Sequence, residues 1–143
     1  MNNTLVPNYF LLQPNCSNRE MLNIAKTAYS QGKRTVLCTV PEEKIRRKLL
    51  RYVSIAVFNE FQMGKATKVT IDGLPSVKTA TLRLYGRGVE TIIVKMNNGG
   101  TLIFADENFQ LLEAHQNKAT ALGGAITPEL KMIMEMINNH TKP

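Results

Sequence analysis

The sequence predicts an α/β fold in a single domain spanning residues 1–143. Between residues 34 and 106, strand-like and helix-like segments follow one another in the order strand, helix, strand, helix, strand, strand. The segment 35–40 is apolar almost throughout, which is typical of a strand covered on both faces. With 143 residues, of which 43% are hydrophobic and 20% charged, the chain is large enough for one buried core.

An N-terminal extension, residues 1–33, is predicted to contribute a strand and a helix. The apolar segment 8–12 favours the strand. Ser17 and Glu20 stand at the spacing of a capping box, which favours a helix that begins there and ends at Gly32.

The strand 35–40 is followed by the longest predicted helix, from about residue 41 to residue 61. Thr39 and Glu42 repeat the capping-box spacing at its start, and Gly64 is a suitable stop.

A further strand and helix are predicted next. The strand covers residues 68–71, and the turn residues 72–75 separate it from a helix that begins near Ser76 and ends at residues 86–88. One face of this helix is apolar or small, and it consists of Val77, Ala80, Thr81 and Leu84.

A hairpin then joins predicted strands at 91–96 and 101–104. The Asn-Asn-Gly-Gly segment 97–100 is a strong turn signal because Asn and Gly tolerate positive φ. The C-terminal extension, residues 107–143, is predicted to be helical. It would contain a short helix near residues 106–114 and a last helix beginning at Thr127, whose apolar stripe is Leu130, Ile133, Met134 and Ile137.

Positive charge is concentrated in the first half of the chain. Residues 1–70 contain 11 Lys and Arg against 4 Asp and Glu, a net charge of +7, whereas residues 71–143 contain 7 of each sign. Five of the cations lie between Lys44 and Arg51. On the predicted helix 41–61, Lys44, Arg47, Lys48 and Arg51 share one arc, which favours contact with a polyanion.

The order of elements in residues 34–106 resembles the Alba superfamily of archaeal chromatin proteins and ribonuclease P and MRP subunits. The resemblance depends on the helix ending in Phe58-Asn59-Glu60-Phe61, the strand Lys68-Val69-Thr70-Ile71, the turn Asp72-Gly73-Leu74 and the helix bearing Lys78. It implies an α/β sandwich with a β-α-β-α-β-β core, flanked here by the two extensions. It also implies a homodimer that binds DNA or RNA, with Lys78 early in the second helix and Lys95, Asn97 and Asn98 in the hairpin arm.

The sequence therefore predicts a nucleic-acid-binding protein that contacts the phosphate backbone, largely without sequence specificity. The candidate binding residues are Lys33, Arg34, Lys44, Arg47, Lys48, Arg51, Lys78, Arg83, Arg87 and Lys95. Core packing is the expected role of Phe58 and Phe61. A solvated basic face without a specific partner is the simpler interpretation of the charge. The alternative function is a non-catalytic adaptor or structural subunit of a larger protein or ribonucleoprotein assembly.

The sequence gives little indication of catalysis. His115 and His140 are isolated, and Cys16 and Cys38 lack neighbours at metal-ligand spacing, so we expect no enzymatic activity, no cofactor and no metal site. Without a signal-peptide pattern or an apolar run long enough to span a bilayer, the expected location is intracellular, in the cytoplasm, nucleus or nucleoid.

Overall fold

A computed structural model of the protein describes residues 9–12, 18–38 and 47–113. The described chain forms six strands and four helices, which confirms the α/β class. The strands are β1 (Tyr9–Leu12), β2 (Arg34–Cys38), β3 (Ile55–Asn59), β4 (Thr91–Lys95), β5 (Thr101–Ala105) and β6 (Asn108–Leu112). The helices are α1 (Asn18–Ser30), α2 (Arg47–Leu50), α3 (Glu60–Thr67) and α4 (Leu74–Gly86).

The six strands form one sheet in which their spatial order equals their order in the chain. Strands β1 to β4 are parallel, and β4, β5 and β6 are antiparallel. Each parallel connection steps to the adjacent strand in the same direction. Because such crossovers are almost always right-handed, we expect the connecting helices on one face of the sheet.

The packing of the core agrees with that expectation. One buried cluster combines strand residues with residues of all four helices, among them Met21, Leu49, Met63 and Val77. The other cluster, among the described residues, consists of strand residues only: Val36, Cys38, Ile55, Val57, Ile93, Ile103 and Leu112. Residues alternate between the two clusters along each central strand, as the pleat of a strand requires.

The predicted helix 41–61 is wrong in its second half. The structure ends α2 (Arg47–Leu50) at Leu50, forms β3 at Ile55–Asn59 and begins α3 at Glu60; residues 39–46 lie outside the described residues. The segment from Val53 to Phe58 is buried throughout and pairs with a parallel strand on each side. A short apolar run of this kind fits a central strand and a buried helix equally well by periodicity alone.

Two other predicted elements differ from the structure. Lys68, expected in a strand, instead ends α3 in the left-handed conformation (φ 61°), and residues 69–71 belong to no strand. The helix expected near residues 106–114 is replaced by β6. Asp106 and Glu107 have φ of 52° and 63°, the two positive values that a tight type I′ hairpin turn needs.

The remaining described elements match the prediction. Strands at the positions of β1, β2, β4 and β5 and helices at those of α1 and α4 are confirmed. The predicted helix beginning at Thr127 lies outside the described residues. In the described part of the chain, no helix is both long enough and apolar enough to cross a membrane.

Substitution of Gly100 by alanine is expected to destabilise the β4-β5 hairpin. A Cβ atom at Gly100 would lie 2.9 Å from the backbone oxygen of Leu112 on β6, closer than a real Cβ atom approaches. The strand or the loop must shift, at a cost of about 1–3 kcal/mol in the free energy of unfolding. Urea denaturation measures this change, and Gly86→Ala is the control because a Cβ atom there meets nothing within 4 Å. Equal stability of the two variants would contradict the close approach of β6 to Gly100.

Candidate functional site

The carboxyl ends of the parallel strands meet at one edge of the sheet. Strands β3 and β4 end there in Asn59 and Lys95, which are direct partners in the register. Cys38 ends the neighbouring strand β2. In open α/β sheets, ligands bind in the crevice outside the carboxyl ends of the strands, so this edge is the candidate site.

A tight loop, residues 96–100, continues from Lys95 across this edge. The backbone N–H of Gly99 donates to the carbonyl of Met96 (3.0 Å), and the N–H of Met96 donates to the carbonyl of Gly100 (2.9 Å). The side-chain oxygen of Asn98 accepts from the N–H of Gly100 (2.8 Å). These bonds give the loop a defined shape beside the cationic side chain at the end of β4.

Glu60, the first residue of α3, accepts two hydrogen bonds from the same loop. One carboxylate oxygen accepts a hydrogen bond from the backbone N–H of Asn97 (2.8 Å), and the other accepts from the Asn97 side-chain amide (3.3 Å). The two residues are 37 positions apart in the chain. The carboxylate therefore connects the start of α3 directly to the β4-β5 loop.

The N-terminus of α3 is closed by a capping box. The Asn59 side chain accepts from the backbone N–H of Gln62 (2.7 Å), and the Gln62 side chain accepts from the N–H of Asn59 (2.8 Å). Two of the N–H groups at the start of the helix are thus satisfied within the protein. The capping box fixes the point at which β3 turns into α3, and so fixes the direction from which Glu60 reaches the loop.

Cys38 and Lys95 interact electrostatically on the face of the sheet that carries the strand-only cluster. Burial raises the pKa of the Cys38 thiol to about 11, and the positive charge of Lys95 opposes that rise only in part. The thiol is therefore protonated and weakly nucleophilic at neutral pH. Of this pair, Lys95 is the charged group at the candidate site.

A cavity of about 440 Å³ borders the Glu60–Asn97 contact. Glu60, Phe61, Gly64, Lys65, Ile71 and Asn97 line it. The Lys65 ammonium stands 5.6 Å from the centre of the Phe61 ring, and that ring is 64% exposed, so the expected core role of Phe61 is wrong. Phe58, in contrast, is 1% exposed and belongs to the core, as expected.

The structure distributes the predicted cationic residues over both ends of the sheet. Arg34 begins β2, and its guanidinium forms a 3.2 Å salt bridge with Glu90. In the strand register, Arg34 and Lys95 are six positions apart, because Val36, Ile55 and Thr91 are aligned with one another. At about 3.3 Å per residue, these two cations are separated by roughly 20 Å along the strands.

Two other predicted residues stabilise the C-terminus of α3. Arg83 donates to the backbone carbonyl of Thr67 and Arg87 to that of Ala66, each at 2.9 Å. The last carbonyls of a helix lack partners within the helix, and basic side chains can satisfy them. Both arginines thus join α4 to α3.

The other candidates occupy separate surfaces. Lys33 lines a second cavity, of about 260 Å³, beside α1, and the Lys78 ammonium lies 5.3 Å from the centre of the Phe109 ring. Lys48 and Arg51 are exposed on and just after α2. Lys44 and the side chain of Arg47 lie outside the described residues. Of the eight whose side chains the structure describes, Lys95 is the one located at the carboxyl edge beside the loop 96–100.

Sequence reasoning did not identify Asn59 or Glu60 as site residues. An Asn-Glu pair directly after an apolar run is the available signal, since it can cap a helix that follows a strand. Within the described ranges, no group of three or more His, Cys, Asp or Glu residues is arranged to hold a metal ion.

No protein-family model and no curated protein matches the sequence. Solved structures, however, have a similar fold. Ribokinase of Arabidopsis thaliana, complexed with ribose and ATP, is 19% identical with a TM-score of 0.65, and the match covers 74% of this chain and 34% of that one. Phosphomethylpyrimidine kinase of Clostridium difficile is 15% identical with a TM-score of 0.63, covering 92% of this chain and 66% of that one.

Phosphofructokinase-2 of Escherichia coli, in complex with substrates and products, is 16% identical with a TM-score of 0.59, and the match covers 72% of this chain and 34% of that one. At these identities the comparisons establish the fold. The chain spans about a third of the length of the ribokinase and phosphofructokinase structures that it matches.

These matches correct the family resemblance. The fold is ribokinase-like and not that of the Alba superfamily. The physical reason is β3, because a central parallel strand replaces the second half of the long helix on which the resemblance depended.

The functional predictions made from the charge pattern and the resemblance are also overturned. The predicted function was DNA or RNA binding without enzymatic activity, and the alternative was an adaptor or structural subunit. The predicted partners were DNA or RNA, a second copy of the chain in a homodimer, or a ribonucleoprotein. The solved structures that share this fold include a ribokinase, a phosphofructokinase and a pyridoxal kinase.

Proposed function

We propose that the chain is the nucleotide-binding part of a small-molecule kinase. The solved structures with this fold include a ribokinase complexed with ribose and ATP and a pyridoxal kinase in complex with pyridoxal. The chain spans about a third of that ribokinase, and the proposal is limited to one step, the binding of the phosphate donor. It includes the prediction that residues 1–143 form one domain and that the protein is intracellular, where ATP is available.

The observation that carries the proposal is the composition of the carboxyl edge of the parallel strands. Lys95 places a cation at the end of β4, and the loop 96–100 crosses the same edge directly after it. A lysine ammonium is a common ligand of phosphate groups, and its charge would oppose the negative charge of a nucleotide triphosphate. This edge is also where open α/β sheets bind ligands.

In the proposed reaction, a hydroxyl oxygen of the acceptor forms a bond to the γ-phosphorus of ATP. The bond from that phosphorus to the bridging oxygen breaks, ADP leaves with the electron pair, and the hydroxyl proton passes to a base. Catalysis of this step depends mainly on positioning and on stabilising the charge of the transferred group. Lys95 would contribute that charge stabilisation. Among the described residues, Glu60 and the exposed Glu113 are carboxylates at this edge, and Asn97 already occupies both oxygens of Glu60.

Replacement of Lys95 by alanine is expected to weaken ATP binding about ten- to a hundredfold. Loss of one charge-assisted contact to phosphate corresponds to an effect of this size. Isothermal titration of the full chain with ATP in the presence of Mg²⁺ measures the change. Release of ADP in the presence of ribose, fructose-6-phosphate or pyridoxal then tests phosphoryl transfer.

Lys48→Ala is the matched control, because Lys48 is an exposed lysine on α2, outside the carboxyl edge. It removes the same charge and should change the dissociation constant less than twofold, since exposed distant charges are screened by salt. Wild-type protein that does not bind ATP at millimolar concentration would refute the proposed function. Equal weakening by both variants would refute the assignment of Lys95.

A further inference from the structure

The contact between Glu60 and Asn97 joins the first residue of α3 to the β4-β5 loop, one and two positions beyond the last paired residues of β3 and β4. Glu60 occupies the first position of α3, after Asn59, whose side chain is already committed to the capping box. Asn97 lies at the exposed tip of the β4-β5 loop. Two hydrogen bonds of 2.8 and 3.3 Å attach that tip to the half-buried carboxylate.

We infer that Glu60 is a positioning residue, which holds the loop 96–100 in the arrangement that binds the nucleotide phosphates. The inference depends on the proposed function, because it assigns Glu60 a role in that same site. The carboxylate itself does not contact the nucleotide. It acts through Asn97, by fixing the loop that follows Lys95.

The stability of α3 does not require this carboxylate. The N-terminus of α3 is closed by Asn59 and Gln62, and its C-terminus receives hydrogen bonds from Arg83 and Arg87. Both ends of the helix therefore keep their partners when Glu60 is replaced. The loop loses its attachment to α3, so the effect of a substitution should be concentrated in residues 96–100.

When Glu60 is replaced, an electrostatic effect and a positioning effect would change the affinity for ATP in opposite directions. Removal of a carboxylate from the neighbourhood of a polyanion lowers repulsion and so would strengthen ATP binding. If Glu60 acts by positioning, its removal weakens binding, because a site that is formed for only a fraction of the time has a proportionally higher apparent dissociation constant. The sign of the change distinguishes the two mechanisms.

The test compares Glu60→Ala and Glu60→Gln with wild type. For Glu60→Ala we expect the ATP dissociation constant to rise about tenfold, which corresponds to a loop in its binding arrangement for roughly a tenth of the time. Glu60→Gln retains one side-chain oxygen for the Asn97 N–H and should recover part of the loss. Hydrogen-deuterium exchange without nucleotide should show faster exchange of the Asn97 amide in Glu60→Ala than in wild type.

Glu90→Ala is the matched control, since it removes an exposed carboxylate near the opposite end of the sheet. It should leave both the exchange of the Asn97 amide and the affinity for ATP unchanged. If wild type binds ATP and Glu60→Ala binds it equally or more tightly, the inference fails while the proposed function stands. If wild type does not bind ATP, the proposed function fails and this role of Glu60 fails with it. Unchanged exchange at Asn97 in Glu60→Ala would show that the contact does not hold the loop, and would also overturn the inference.

Discussion

Replacement of Phe58 by alanine is expected to lower the free energy of unfolding by about 3–5 kcal/mol, as for other buried aromatic residues. Phe58 is 1% exposed, lies in the central strand β3 opposite Val94 of β4, and belongs to the cluster that joins the sheet to its helices. Removal of the ring leaves a cavity between these layers. Since a domain is stable by only about 5–15 kcal/mol, the loss could unfold a large fraction of the protein at 37 °C.

The matched control is Phe61→Ala. Phe61 is three residues further on and 64% exposed, so its removal should change the free energy of unfolding by less than about 0.5 kcal/mol. Urea denaturation followed by circular dichroism gives both values. The pair also distinguishes the two assignments of this segment. If residues 41–61 formed one continuous helix, the two rings would share a face, and both variants would lose much of the free energy of unfolding. In the observed strand and helix, only Phe58→Ala should cause a large loss.

Much of the fold can be predicted from local patterns in the sequence. The Asn-Asn-Gly-Gly signal placed the hairpin between β4 and β5, and Gly86 marked the end of α4. The apolar face predicted for α4, from Val77 to Leu84, is buried in the structure. These elements are determined by contacts close in sequence, such as turn residues and helix periodicity.

The segment from Val53 to Phe58 shows where local patterns are insufficient. Its residues are buried because they lie between β2 and β4, and that neighbourhood exists only after the sheet has formed. Burial on both faces removes the alternation of polar and apolar residues that would identify a strand. Tertiary contacts therefore determine that this segment is a strand. The predicted helix was wrong here, and so was the family resemblance that depended on it.

The candidate site could not be predicted for a related reason. Asn59 and Lys95 become neighbours through the parallel register of β3 and β4, and Glu60 meets Asn97 across 37 positions of sequence. The net charge of the first half of the chain also led to a wrong prediction, that its cations and those of α4 are available to bind phosphate. Arg34, Arg83 and Arg87 have partners within the protein. A cation that stabilises a helix end or pairs with a carboxylate cannot be distinguished by sequence from one that awaits a ligand.

Replacement of Leu84 by alanine is the second large effect that we expect, a loss of about 2–5 kcal/mol in the free energy of unfolding. Leu84 is fully buried on the face of α4 that packs in the cluster shared with the sheet. The neighbouring turn carries Arg83 and Arg87, which bond to the end of α3, so weaker packing of α4 should also loosen α3. We expect thermal unfolding to occur at a lower temperature than in wild type.

Leu82→Ala is the control for this variant, since the same side chain is removed two residues earlier on the same helix. Leu82 is 49% exposed, and its loss should cost less than about 1 kcal/mol because little cavity is created. A larger loss for Leu82 than for Leu84 would mean that α4 presents its other face to the sheet. Such a rotation of α4 would also move Arg83 and Arg87 away from the carbonyls of Thr67 and Ala66. Hydrogen-deuterium exchange of the amides at the end of α3, measured in both variants, tests this consequence.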